Sequence, residues 1–309
     1  MTAKASSLTP KSEIVGQRRG FNVGRLVIWL VFALLIFLTL FPFWWLLRTS
    51  LSTPKLIYTD TASLLPVGFT WNNFLRVLGL MTTEQALAAG GSGQSINFLL
   101  YMRNSAIVSI IVVAGQVFFG AMAAYAFARL KFPGRDKIFF IFRTAMMVPG
   151  IVTLIPNFVL IRRLGWLDTF QGIVAPVFLG TPFGIFFLRQ FFLGINREVE
   201  EAARIDGAGY FRVFTSVILP MGRPALSTLA ILTFVGQWNE YFWPFLVGKQ
   251  ESVRVLTAAL AIFRSQTPQG APDWGGLMAG TTLAALPVLL LLIIAGRQVI
   301  DSIQFSGIK

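Results

Sequence analysis

Apolar runs and polar stretches alternate along this 309-residue chain, with run lengths that match the thickness of a bilayer. The runs fall at about residues 26–47, 103–129, 138–161, 170–192, 225–247 and 277–300. A helix of roughly 20 mostly apolar residues crosses the hydrocarbon core. The pattern therefore predicts an all-α polytopic membrane protein with six transmembrane helices. The first run is too long for the apolar part of a signal peptide, and no small-residue cleavage site follows it, so it is expected to stay as an anchor. In the second run Gly120, Ala124 and Ala128 recur every fourth residue, a stripe that lets helices approach closely in lipid. The third carries Pro149-Gly150 and Pro156, and the fourth Pro176 and Pro182. Interrupted helices of this kind are tolerated where neighbours or a water-filled cavity take up the freed backbone groups.

A polar cluster, Gln237, Trp238, Asn239, Glu240 and Tyr241, breaks the fifth run. Glu240 is the one acid well inside a predicted span, where an ionisable group is costly. It suggests either the wall of a solute path or an interhelical hydrogen-bond cluster. Aromatic rings beside polar groups suit a binding wall, which makes Trp238, Tyr241 and Trp243 candidates for it. Residues 48–100 are mixed and turn-rich. Trp71, Phe74 and Leu75 there suggest a short amphipathic piece, and the glycine patch at residues 88–93 reads as a linker because it lacks the lysine and hydroxyl of a phosphate loop. The outer loop at 248–276 holds a short apolar segment, residues 255–263.

Between the fourth and fifth runs lies the longest stretch dominated by polar helix formers, within residues 193–224. Asn196 suits an N-cap, and Glu198, Glu200 and Glu201 follow in the first turns, where carboxylates complement the helix dipole. Val199, Ala202, Ala203 and Asp206 share a face that the two alanines leave nearly smooth. Gly207 suits the left-handed turn just past a helix C-terminus. A second amphipathic segment follows, with Phe211, Phe214, Val217 and Ile218 apolar, and Leu219-Pro220 closes it. The expectation is helix, tight turn, helix, stop, lying on the membrane surface.

Composition and charge narrow the picture. Hydrophobic residues make up 55% of the chain and charged residues 13%, with a mean hydropathy of +0.70, which excludes an ordinary soluble domain. The net charge of +13 would suit nucleic acid, but most of the 26 Lys and Arg cluster on the side of the N-terminus. That bias is a topology signal with some attraction to anionic membrane lipid. It places the N-terminal segment (1–24), the 193–224 loop and the C-terminal tail (301–309) in the cytoplasm, with 25–300 as the transmembrane domain, and no nucleic-acid partner is expected. The chain has neither Cys nor His, so no metal site, thiolate chemistry or histidine-based catalysis is expected. No GxxxxGK[ST] occurs, so the chain is not expected to be an enzyme or to hydrolyse ATP itself.

The polar stretch also carries a resemblance. Glu201-Ala202-Ala203, then Gly207, then Val217-Ile218-Leu219-Pro220 keeps the spacing of the EAA loop of ABC-importer permeases, with Val217 in place of Ile. RNSAIVS at 103–109, AYAFARLKFPGR at 124–135, MMVPGIVTLIP at 146–156 and GQWNEYFWP at 236–244 resemble the carbohydrate-type members. The likeness, over roughly residues 25–300, is to the six-span, MalG-like partner of the maltose/glycerol-3-phosphate group. It implies the type I ABC-importer permease architecture in a prokaryotic cell (inner) membrane. It also implies a sugar, polyol or glycerol-phosphate solute and no cofactor in this chain, ATP and Mg being held by partner subunits. Those partners would be a second permease in a heterodimer, two ATPase subunits and an extracytoplasmic solute-binding protein. Glu201, Ala202, Ala203, Gly207, Leu219 and Pro220 would couple the chain to the ATPase. Gln237, Trp238, Asn239, Glu240 and Tyr241 would line the path. Asp273, Trp274 and Gly275 of the outer loop would meet the binding protein. The rival expectation is a stand-alone secondary transporter or channel, for which no inverted repeat is visible.

Overall fold

The computed structural model describes residues 23–264 and 272–305. The predicted N-terminal basic segment therefore lies almost wholly outside the described residues, as do residues 265–271 of the outer loop and the last four of the tail. Among the described residues every regular element is helical, apart from one isolated antiparallel bridge between Ser52 and Phe69. The elements run α1 (Val23–Ser50), α2 (Asn72–Val77), α3 (Thr83–Ala88), α4 (Phe98–Arg129), α5 (Arg135–Ala145), α6 (Gly150–Arg163), α7 (Phe170–Phe178) and α8 (Pro182–Leu193). Then come α9 (Arg197–Ile205), α10 (Tyr210–Val213), a π-helical turn Phe214–Ile218, α11 (Leu219–Met221), α12 (Arg223–Trp238), α13 (Phe242–Val247), α14 (Leu256–Leu260), a 3₁₀ turn Ala261–Arg264 and α15 (Trp274–Phe305).

The chain divides into two units, Met1–Trp45 and Leu46–Lys309. In the first, α1 is apolar on every side and exposes its large side chains all round, Trp29 at 65% and Phe37 at 61% among them, as a lipid-facing helix does. The second unit is built on α4, which packs against α7, α8 and α12. Ala124 and Ala128 of the predicted small-residue stripe lie in this contact, but the tightest approach is at Gly115, where a Cβ would lie 2.4 Å from Phe178. Ala124 and Ala128 are buried in a cluster with Leu188, Phe192 and Leu229. The Gly180 turn between α7 and α8 lies on the Gly120 backbone at 3.5 Å from where its own Cβ would be. A second cluster at the other end of α4 joins Phe98 and Tyr101 to Trp238, Leu256, Phe263 and Ala279.

Among the described residues three helices are long and apolar enough to cross a membrane, and three bent pairs make it up to six if each pair is one crossing. The bends in the third and fourth spans fall where prolines interrupt the apolar runs. The predicted third span is broken between α5 and α6 at 99°, at Pro149, whose backbone is extended and whose ring cannot continue a helix. The fourth bends by 42° between α7 and α8, where Pro182 starts α8 and the Thr181 hydroxyl accepts from the Gly184 N–H. The predicted fifth span stops at Trp238 and resumes as α13. Pro244 explains this, because in an unbroken helix its ring would clash with the carbonyl of Glu240. That carbonyl instead accepts from the Thr257 hydroxyl at 2.7 Å. At the C-terminus α15 runs on to Phe305, so the first part of the predicted tail is helical.

The region predicted as a glycine linker is an organised cap. Arg76 and Asp273, both buried, form an ion pair, with a second Arg76 N–H to carboxylate bond of 2.9 Å. The Ser92 N–H and hydroxyl donate to the same carboxylate at 2.9 and 2.8 Å, and the Gly276 N–H at 3.0 Å. A Cβ on Gly91 would lie 1.5 Å from the Arg76 guanidinium, so this glycine is needed for space. Burial alone would push the Asp273 carboxyl up. The hydrogen bonds and charge of Arg76, with the Ser92 and Gly276 amides, outweigh burial and hold it below the usual carboxylate range.

Candidate functional site

Two regions carry the predicted functional residues. The first is the surface loop from α9 to α11. Asn196 caps α9 as predicted, its side-chain oxygen accepting from the Glu198 N–H at 3.1 Å. The helix closes with Gly207 at φ +84°. The Ala208 N–H bonds the Ala203 carbonyl at 2.9 Å and the Gly207 N–H bonds the Arg204 carbonyl at 3.0 Å, which is the paired pattern of a Schellman turn. The Arg204 guanidinium lies 4.7 Å from the Tyr210 ring centre, across that turn.

Glu201, Ala202, Ile205 and Asp206 are exposed, whereas Ala203 is half-buried against the α4–α8 cluster. The smooth face predicted from Val199, Ala202, Ala203 and Asp206 is thus divided: Ala203 turns inward and Ile205, 87% exposed, turns out. Of the second segment, Phe214 and Ile218 are buried but Phe211 is 67% exposed. Leu219-Pro220 does not stop the chain. Pro220 sits in the first turn of α11, and the sharp bend of 76° follows before α12.

The acid that sequence reasoning missed is Glu200. It was expected only as an N-terminal dipole partner, yet it is 5% exposed and pairs with Arg129, the last residue of α4, at 2.8 Å. Its one sequence signal is its place at i−3 from Ala203, on the inward face.

The second region is a cavity of about 350 Å³ beside the cluster at the Phe98 end of α4. Trp238, Asn239 and Tyr241 of the predicted polar cluster line it, with Thr257, Arg264 and Thr281. Gln237 and Glu240 do not. The Glu240 carboxylate accepts from the Phe242 and Trp243 N–H groups at 3.0 and 3.2 Å, so it caps the start of α13, a local contact within one segment. Trp243 is also drawn inward, its indole N–H donating to the Gly172 and Ile173 carbonyls. Trp238 is buried and donates to the Ala284 carbonyl at 2.9 Å, which fixes one aromatic edge of the cavity. Of the predicted outer contact residues, Asp273 and Gly275 are buried, the latter against Asn73, and only Trp274, 39% exposed, reaches the surface. No cluster of three acidic or other metal-ligating side chains occurs among the described residues.

Comparison with known proteins follows the same lines. Residues 116–303 match the family described as "Binding-protein-dependent transport system inner membrane component". The chain is 35% identical over 205 residues to a diacetylchitobiose uptake system permease of Streptomyces coelicolor, covering 66% of this chain and 68% of that one. It is 28% identical over 285 residues to the sn-glycerol-3-phosphate transport system permease UgpE of Yersinia pestis, covering 92% and 96%. The fold is similar to a chain of a bacterial ABC transporter involved in the import of the acidic polysaccharide alginate. There the TM-score is 0.75 at 23% identity, covering 89% of this chain and 96% of that one.

Proposed function

This chain belongs to the family of binding-protein-dependent transport system inner membrane components, and from that premise we propose that it is one of two permease subunits of an ATP-driven importer. Its solute is a sugar or a glycerol phosphate, the classes named for its relatives, or a related polyol. The observation that carries this reading is α9, a capped, largely exposed helix held between two bent, membrane-length helix pairs at the spacing of the EAA loop. Two ATPase subunits each present a cleft to one permease, and α9 seats in one of them. Glu201 supplies a charged contact, Ala202 allows close approach, and the Gly207 turn with Leu219 and Pro220 sets the angle at which motion leaves the loop. The chain crosses the prokaryotic cell membrane six times, with both termini and this loop in the cytoplasm. A binding protein delivers the solute from outside, and the cavity at Trp238, Asn239 and Tyr241 lies on its route. ATP and Mg are handled by the ATPase alone, and the second permease is a different chain.

A single cysteine tests the sidedness and the docking together, since the native chain has none. Ala202→Cys in the assembled complex should react with a membrane-impermeant maleimide only in inside-out vesicles. It should be shielded when the ATPase is present and exposed when the ATPase is stripped by urea. Labelling from the outer face, or a rate indifferent to the ATPase, would refute the assignment.

A further inference from the structure

The last turn of α4 holds both arms of the α9–α11 loop. Arg129 is 2% exposed at its side chain, and its guanidinium serves three helices at once. One edge pairs with Glu200 of α9 at 2.8 Å. The other donates to the carbonyls of Phe192, at the end of α8, and Ile195, just beyond it. The Phe192 carbonyl is in the last turn of α8, where carbonyls lack i+4 partners and a cation is favoured. One turn earlier, the Tyr125 hydroxyl donates to the Tyr210 carbonyl at 3.4 Å, and its ring lies 5.3 Å from that of Phe214.

A buried ion pair is a poor source of stability compared with an apolar substitute, and its best-attested use is to fix register. Here it fixes the register of a surface helix against the helix at the centre of the fold. The bending points lie elsewhere: the 76° break between α11 and α12 and the 42° break between α7 and α8. On either route along the chain, a bend separates α9 from part of the helices it must move. The route through Arg129 has none.

Resting on the reading of α9 as the ATPase-coupling helix, we propose that Arg129 is a positioning residue for coupling: through Glu200 it makes α9 and α4 move as one body, so that ATPase closure drives α4 directly. It touches neither solute nor nucleotide, and its action is wholly through α9 and the end of α8.

The test uses the whole complex purified from its host, with the partner subunits cleared of reactive cysteines. Nitroxides are placed at Arg197→Cys, the first residue of α9, and Leu99→Cys, exposed at the far end of α4. Their separation is measured by pulsed electron resonance without nucleotide and after trapping with Mg-ATP and vanadate. With Arg129 present, one narrow distance should persist through trapping. In Arg129→Gln it should broaden and shift by about 2 Å or more, the scale of helix shifts in switching proteins, while ATP is still hydrolysed. Arg129→Lys, which keeps the charge, should restore most of the narrow distance. Should Arg129→Gln fail to assemble, Glu200→Gln leaves Arg129 on its carbonyls and should shift the distance in the same sense. A wild-type distance that itself changes on trapping would overturn the proposal, and so would variants as narrow and constant as wild type. A chain that never assembles with an ATPase would instead overturn the assignment of function on which the proposal rests.

Discussion

Replacing Gly207 with valine should abolish solute uptake while leaving the chain inserted in the membrane at wild-type abundance. The argument concerns backbone alone. A Cβ at Gly207 meets nothing within 4 Å, but the residue sits at φ +84°, a conformation that a β-branched residue reaches only with strain of about 1–3 kcal/mol. That strain corresponds to roughly a five- to 150-fold fall in the population of the formed turn. It would be relieved by unwinding the Schellman turn, which frees the Ala203 and Arg204 carbonyls and re-aims α9. Asparagine tolerates the left-handed region, so Gly207→Asn should keep much of the uptake that Gly207→Val loses, with Gly207→Ala between them. Uptake by the host, normalised to membrane-inserted chain, measures the series. Equal uptake in all three would show that the turn does not set the coupling angle.

The largest effect on stability is expected at the Arg76–Asp273 pair. Asp273→Asn leaves a buried guanidinium without its counter-charge, and breaking a buried pair in this way costs about 3–5 kcal/mol. The damage should appear in the cap, where Ser92, Asn73 and Gly276 share the network, as faster hydrogen exchange around residues 73–97 and a lower melting temperature in detergent. Because the folded carboxyl is held below its ordinary value, its contribution is fully present above the unfolded pKa and is lost as pH falls through the folded one. The melting temperature of the wild type should therefore drop on the acid side more steeply than that of Asp273→Asn. Parallel acid limbs, or an unchanged melting temperature, would mean that the pair contributes little.

What could be read from the residues follows from what a linear pattern encodes. Apolar run length marked the membrane-length segments, because lipid imposes length and polarity on any helix that crosses it. Asn196 and Gly207 marked both ends of α9, because caps are local chemistry. Ala124 and Ala128 marked a packed face of α4, but not its closest approach, which is Gly115 against Phe178. Pro149 and Pro182 marked breaks, but not their angles, which depend on what each half packs against. The ion pairs were out of reach. Arg76 and Asp273 are 197 residues apart, and nothing in the periodicity of either segment names its partner. Glu200 looked like one carboxylate of a helix N-terminus, and only the position of Arg129 shows that it turns inward. Glu240 was legible as an anomaly inside an apolar run. Its use as the cap of α13 required knowing that the helix stops at Trp238 and resumes at Phe242.

The central claim is that this chain works only as one part of an ATPase-driven importer. It is tested most directly by purifying the tagged chain from its host in mild detergent, identifying what accompanies it, and assaying ATP hydrolysis and transport after reconstitution. The account predicts recovery with an ATPase and a second permease, hydrolysis of ATP, and transport that requires both ATP and a solute-binding protein. A chain recovered alone that still carries solute after reconstitution would contradict it and make this protein a carrier in its own right.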